Sequence, residues 1–289
     1  MDEPQTVREI HLNITDGDKN VVALLSDAAK LSHQEIKQAM QKGCVWHTRN
    51  KHTQRLRRSK KALNIGDEIH MYHNPDILNQ SVQAAQLLKD EGDYSVWYKP
   101  YGMLCQGSKW SDHTTINRFV GTNLKPQRPA FLVHRLDRAT TGVMVIAHSK
   151  HKARFLAQAF EQRQTEKYYQ AIVHGKFEHS ENPLTIDLDI DSKKAVSHVR
   201  LISFDMNANC SLVEVKIDTG RKHQIRKHLA AIDFPIVGDR LHGIADNDEE
   251  KDLQLCAINL TVPSENSSEP ISYRLPEQFC LQLDDANIN

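Results

Sequence analysis

Three short segments concentrate the side chains able to do chemistry. In Val133-His134-Arg135-Leu136-Asp137-Arg138-Ala139-Thr140-Thr141-Gly142 an aspartate sits between two arginines, in a turn just ahead of the apolar run Val143-Met144-Val145-Ile146-Ala147. A carboxylate placed there can stand at a cleft floor; the plainer alternative, a surface ion pair worth under ~1 kcal/mol, starts ahead on the residues alone. In Asp218-Thr219-Gly220-Arg221-Lys222-His223-Gln224-Ile225-Arg226-Lys227-His228-Leu229, the residues Ile225, Leu229 and Ile232 share one helical face. That spacing predicts a helix beginning near Arg221, with Arg221, Lys222 and His223 in its first turn. Cations there oppose the helix dipole by about 0.3–1 kcal/mol each, which makes sense where the turn receives phosphate. His223 and His228 lack the four-residue spacing of a HExxH zinc pair, and no third ligand accompanies them, so no metal is expected. The third segment, Tyr94-Ser95-Val96-Trp97-Tyr98-Lys99-Pro100-Tyr101-Gly102, reads as an aromatic-rich strand ending in a tight turn, with Lys99 able to meet an anion.

These segments need a scaffold, and the pattern supplies one. Tyr168 to Val173 reads as a strand, and Ser149 to Gln162 as a helix with Phe155, Leu156, Ala159 and Phe160 toward a core. Lys150, Lys152 and Arg154 on that helix face either RNA or water. Strands and helices follow one another without regular alternation, so the class is α+β around a mixed, mostly antiparallel sheet. Before it lies a small α/β unit. Helices are predicted over Asn20 to Lys30 and after Ser32, where Ser32-His33-Gln34-Glu35 forms a capping box and Gly43 supplies the left-handed stop. Strands follow at Val45 to Thr48 and around Ile69 and Met71, separated by an arginine-dense loop. The division is 1–75 for this unit, 76–93 for a linker helical at Val82 to Leu88, and 94–289 for the larger domain.

Charge is segregated. The 289 residues carry 37 basic and 37 acidic side chains, a formal net charge of zero that taken alone argues against a nucleic-acid protein. Yet Lys37 to Gly66 holds Lys37, Lys42, Arg49, Lys51, Arg55, Arg57, Arg58, Lys60 and Lys61 and no carboxylate. Asp246, Asp248, Glu249, Glu250, Asp252, Glu265, Glu269, Glu277, Asp284 and Asp285 crowd the C-terminal stretch, which is expected either to lie away from a nucleic-acid face or to limit indiscriminate binding. A basic run of this kind inside an ordered unit fits a phosphate backbone, Arg55, Arg57 and Arg58 being the contacts expected. The start, Met1-Asp2-Glu3-Pro4, is acidic with no apolar signal core, and no apolar run approaches the ~20 residues of a membrane span. Five cysteines, Cys44, Cys105, Cys210, Cys256 and Cys280, are odd in number and form no CxxC pair, as in a reduced cytoplasm. A cytoplasmic monomer without obligatory protein partner is the expectation.

The motifs, taken together and in order, resemble a known family. His134-Arg135-Leu136-Asp137 with Thr140-Thr141-Gly142 is similar to the "HRLDxxTSG" signature of RluA-type pseudouridine synthases. Lys99-Pro100-Tyr101-Gly102 matches their "KPxG", Lys167-Tyr168-Tyr169-Gln170-Ala171 their "KxYxA", and Gly220 to His228 their "GRxHQIRxH", with Gly238-Asp239 following. The family's Leu-His-Ala is here Leu255-Cys256-Ala257. The N-terminal "LSxxxIKxxxxxGxV … GDxI" spacing resembles an S-four-like RNA-binding domain. The resemblance implies isomerisation of uridine to pseudouridine in structured RNA, ribosomal RNA foremost and tRNA as the alternative, with no cofactor. It casts Asp137 as nucleophile, Arg226 as the arginine paired with it, and Tyr169 as the tyrosine that stacks on uracil and assists proton removal from its carbon. It also places Arg135 in the vacated base stack, Lys99, Arg221 and Lys222 near RNA, and Leu255 against the uracil. A noncatalytic RNA-binding factor on the same scaffold is the competing reading.

Overall fold

The computed structural model describes residues 6–16, 20–178, 180–244 and 251–283. Met1 to Pro4, Asp246, Asp248, Glu249, Glu250, Asp284 and Asp285 therefore lie outside the described residues. The chain divides into two compact units, one of residues 1–82 with 106–119, the other of 83–105 with 120–289.

The first unit follows its sequence signals closely. Its elements are β1 (Arg8–Asn13), α1 (Val21–Ala29), α2 (His33–Lys42), β2 (Val45–Arg49), β3 (His52–Arg55), β4 (Glu68–His73) and the single turn α3 (Pro75–Leu78). Ser32 Oγ accepts from the Glu35 amide at 3.2 Å while Glu35 Oε2 accepts from the Ser32 amide at 2.7 Å, closing the capping box. Gly43 ends α2 at φ 87°, where a Cβ would also strike Asp112 Oδ1. Ile36, Ala39 and Met40 bury against Val21, Leu25, Ile69 and Met71. The sheet runs β1-β4-β2-β3, all antiparallel. Strand β1 carried no clear signal in the sequence. Neither did the return of residues 106–119 to this unit.

The second unit contains β5 (Gln86–Asp90), β6 (Tyr94–Lys99), β7 (Phe131–Leu132), β8 (Thr141–Ala147), α5 (Lys150–Glu161), β9 (Glu166–His174), β10 (Leu184–Asp187), β11 (Val196–Asp205), β12 (Cys210–Ile217), α6 (Gln224–Ala231), β13 (Leu255–Val262) and β14 (Ile271–Arg274). Helix α4 (Ile116–Asn123) begins in the first unit and ends in the second. Ten strands form one sheet in the order β10-β11-β12-β9-β13-β8-β6-β5, with β7 beside β8 and β14 beside β13. Every pairing is antiparallel except β13 with β8, which makes the sheet mixed and the fold α+β. Two expectations are corrected. The helix placed at Val82 to Leu88 does not form: residues 82–85 are irregular and Gln86 to Leu88 enter strand β5, where antiparallel pairing with β6 overrides the local helical preference. The helix placed from Arg221 begins at Gln224, because His223 stands in the left-handed region at φ 56°. No helix among the described residues is long and apolar enough to cross a membrane.

Candidate active site

The turn that carries Asp137 is fixed by a close approach of two strands. Thr141 and Gly142 open β8 directly beside Cys256 and Ala257 of β13. Gly142 has φ 116°, and a Cβ there would stand 2.2 Å from the Ala257 carbonyl oxygen, so only glycine fits. Upstream, the Thr140 amide donates to the Asp137 carbonyl at 3.2 Å, and the Gly102 amide to the Arg138 carbonyl at 3.0 Å. His134 stacks on Phe160 with ring centroids 4.4 Å apart, and its Nε2 accepts from the Val145 amide at 3.0 Å. Burial drives His134 down to about 3, so the ring is neutral and holds that tautomer. Asp137 is thus held by neighbours on both sides, with its side chain one-third exposed (33%).

Around it the structure assembles a cavity of about 100 Å³ lined by Arg135, Asp137, Tyr169, Arg221, Arg226 and Leu255, together with Thr140, Ile217, His223 and Gln224. Six residues singled out in four separate segments therefore meet. Tyr169 is buried on β9; burial and then the charge of Asp137 push its phenol well above its ordinary value, so it stays protonated. Tyr168 points elsewhere, beneath the Lys216 ammonium. Leu255 is 3% exposed and forms an apolar wall. Cys256, in the place of the family's histidine, is buried with its thiol on the Phe279 carbonyl at 3.6 Å; burial pushes it up to about 12, so it is an inert thiol.

Arg226 reaches this cavity, but its partner is not Asp137. Its Nε donates to Asp239 Oδ2 at 2.8 Å and its Nη2 to Asp239 Oδ1 at 2.5 Å, a bidentate pair in which both residues are buried. Asp239 Oδ1 also accepts from the Leu241 and His242 amides, each at 3.0 Å. Burial alone would raise Asp239; Arg226 and the two amides more than offset it and hold the carboxyl below its usual range. The expected Asp137 pairing fails because that fork is already filled. The titratable group that does approach Asp137 is His223, with Nε2 3.9 Å from Oδ2. Sequence reasoning set His223 aside once metal binding was rejected; its place in the Gly220-to-His228 motif was the signal available. Gln224 locks the turn: its Oε1 accepts from Thr219 Oγ1 at 2.6 Å and the Arg221 amide at 3.1 Å, and its Nε2 donates to the Val196 carbonyl at 2.9 Å. His228 spends both nitrogens on Ser197 Oγ and the Leu188 carbonyl, each at 3.0 Å, and is a structural histidine.

Several cations expected on RNA are occupied inside the protein. Lys99 is wholly buried, and its Nζ donates to the carbonyls of Met103 at 2.8 Å and of Pro100 and Arg138 at 3.2 Å. Burial lowers it to about 8; it braces the Asp137 turn rather than meeting RNA. In the first unit Arg57 is paired with Asp112, and Arg55 lies 3.2 Å from the same carboxylate. Arg55 also donates to the Gly43 and Ser108 carbonyls and covers the Trp46 ring at 4.3 Å. These two arginines clamp residues 106–119, a role no local sequence signal marks. Arg58 is exposed, beside Lys61 on a cavity of about 370 Å³. On α5, Lys152 faces neither RNA nor water alone: it pairs with Glu265.

A mixed sheet thus brings an aspartate turn, a buried tyrosine and the start of α6 around one small pocket, and comparisons with known proteins give that arrangement a family. Residues 93–231 match the family model described as RNA pseudouridylate synthase. The chain is 30% identical over 234 residues, covering 72% of this chain and 70% of the other, to ribosomal large subunit pseudouridine synthase D of Borreliella burgdorferi (strain ATCC 35210 / DSM 4680 / CIP 102532 / B31). It is 40% identical over 174 residues, 50% of this chain and 44% of the other, to tRNA pseudouridine synthase C of Pectobacterium carotovorum subsp. carotovorum. The human RNA pseudouridylate synthase domain containing 1 structure shares the fold, with a TM-score of 0.59 at 23% identity over 69% of this chain and 86% of the other. The chain belongs to the RluA-type pseudouridine synthases and is an RNA pseudouridine synthase, an isomerase.

Proposed function

We propose that this enzyme isomerises particular uridines of large-subunit ribosomal RNA, with Asp137 as nucleophile. The observation that carries the reading is the one-third-exposed Asp137 carboxylate on a pocket walled by Tyr169 and Leu255. The bulk of these walls suits a flat base. A uridine must leave its stack to enter, at a cost of a few kcal/mol. Arg135 is exposed on the residue two before Asp137, and a guanidinium can stack in the vacated place. Asp137 then attacks the ribose or the uracil ring, the glycosidic bond breaks, the base turns and it rejoins through carbon. One bond to ribose replaces another, so the balance calls for no redox group or cofactor. Arg226, locked to Asp239, stands fixed on the pocket wall.

The N-terminal unit is read as the RNA grip, with Arg58, Lys60 and Lys61 on phosphate rather than Arg55 and Arg57. tRNA is the second substrate reading, favoured by the 40% identity to a relative named for tRNA. Pseudouridine mapping of total RNA from cells expressing wild type or Asp137→Asn tests both. Loss of one or a few ribosomal sites in the variant supports the proposal; loss only in tRNA redirects the substrate; equal modification removes Asp137 as nucleophile.

A further inference from the structure

Strands β1 and β4 turn one face toward the helices of the first unit, and every second residue on that face is apolar. Ile10 and Leu12 of β1 and Ile69 and Met71 of β4 pack into the core there. The alternation fails at one end of the pair. The next positions on the same face are Arg8 and His73, directly opposite each other in the register. A cation and an imidazole closing an apolar stripe break the packing pattern, as functional positions do.

Both line a cavity of about 360 Å³ that α2 and α3 also line. Among the described residues no ion pair holds Arg8. His73 Nδ1 is shut off from solvent without a hydrogen-bond partner, a state folded proteins avoid. Gln38 and Lys42 of α2 and Asn79 beyond α3 bring further donors to the lining. Lys42 Nζ spends one proton on the Leu78 carbonyl at 2.6 Å and keeps two. Against these cations stands one carboxylate, Glu35, whose Oε2 already accepts from the Ser32 amide at 2.7 Å. Leu31, Ala39, Pro75 and Leu78 add an apolar patch.

We propose that this cavity binds a nucleoside monophosphate by its phosphate, either free or as the 5′ end of an RNA strand. A phosphate monoester offers three strong acceptor oxygens. The Arg8 fork suits two of them, His73 Nδ1–H the third, and the Lys42 ammonium supplies charge. Burial, then Arg8, holds the His73 ring below its ordinary value against the pull of Glu35, so the ring is neutral and can donate from Nδ1. Inorganic phosphate leaves most of a cavity this size empty, whereas the apolar patch suits a flat base and the Gln38, Asn79 and Glu35 side chains suit its polar edge. Arg58, Lys60 and Lys61 have no part in this lining. The site lies outside residues 93–231 matched by the family model, and it does not rest on Asp137 as nucleophile.

The test titrates full-length protein carrying ¹³C-labelled histidine rings and reads the His73 resonance, identified by its absence from His73→Gln. The probes are inorganic phosphate, adenosine, adenosine 5′-monophosphate, and a short oligoadenylate with or without a 5′-phosphate. Adenine keeps them distinct from the uracil expected at Asp137. The monophosphate should shift the His73 resonance and raise its pKa, and adenosine should do neither. Arg8→Gln should weaken monophosphate binding about tenfold or more. Arg8→Lys, which keeps the charge and loses the fork, should weaken it less, and it serves where Arg8→Gln does not fold. Asp137→Asn, and Arg58→Ala with Lys61→Ala, should each bind within about threefold of wild type. A response to the monophosphate but not to the oligonucleotides supports a free nucleotide. A response to the oligonucleotide only when it is 5′-phosphorylated supports an RNA end. The proposal is overturned if adenosine acts as the monophosphate does, if inorganic phosphate binds as tightly, if no probe moves His73, or if folded Arg8→Gln binds as wild type.

Discussion

In the N-terminal unit the arginines of the basic block are tied into the fold: Arg49 to Asp67 at 2.6 Å, Arg57 to Asp112, and Arg55 to Asp112 and two carbonyls. In the catalytic cleft the reverse holds. Asp137 is left with only a histidine at 3.9 Å, and among the described residues no ion pair holds Arg135 or Lys222, both exposed. Where the cleft does contain a tight pair, Arg226 with Asp239, that pair shapes the wall and leaves Asp137 outside it. Charge committed to a partner at short range builds structure; charge kept apart from partners remains available to substrate. The same residue types therefore carry different functions in the two units, and composition cannot tell them apart.

This contrast can be broken by substitution. The largest effect is expected at Asp239→Ala, which strands a buried guanidinium: stability should drop by about 3–5 kcal/mol in denaturant unfolding, and activity with it. A change under 1 kcal/mol would mean the pair is not what holds the wall. In the N-terminal unit, Arg55→Ala with Arg57→Ala should cost about 1–3 kcal/mol of stability while leaving the salt dependence of RNA binding unchanged. Arg58→Ala with Lys61→Ala should do the opposite, keeping stability and reducing the log–log salt slope by about 0.7–0.9 for each phosphate no longer neutralised. Equal slopes in the two double variants would erase the distinction between clamping and gripping cations.

The smallest effect concerns pH. His134 has a folded value of about 3 against roughly 6.5 unfolded, so the unfolded chain binds more protons between those limits. Its contribution is fully present above about pH 6.5 and is lost as pH falls toward 3. His134→Phe should therefore flatten the stability-versus-pH slope in that window by up to about 1.36 kcal/mol per pH unit. Asp67 acts lower. Arg49 holds it well below the usual carboxylate range against the upward push of burial, so its contribution is lost only below about pH 4. An unchanged slope in His134→Phe would show that the ring is solvated and the Asp137 turn less rigid than described.

Much of this molecule was legible before any coordinates. The capping box at Ser32, the left-handed Gly43, the helix behind Ser149 and the strand through Tyr169 are set by interactions within a few residues, and they form as read. So is the turn ahead of β8, since a glycine and an apolar run mark it locally. The ordered motifs even named most of the pocket. What the residues alone could not assign were the partners. Arg226 meets Asp239 across 13 positions and Arg57 meets Asp112 across 55, and Lys99 vanishes beneath three carbonyls. Charge pairing, burial and the left-handed twist of His223 depend on separations of a few ångströms fixed by sheet order and strand crossing. A sequence states which charges exist; only the folded chain decides which of them are spent on one another and which are left facing the RNA.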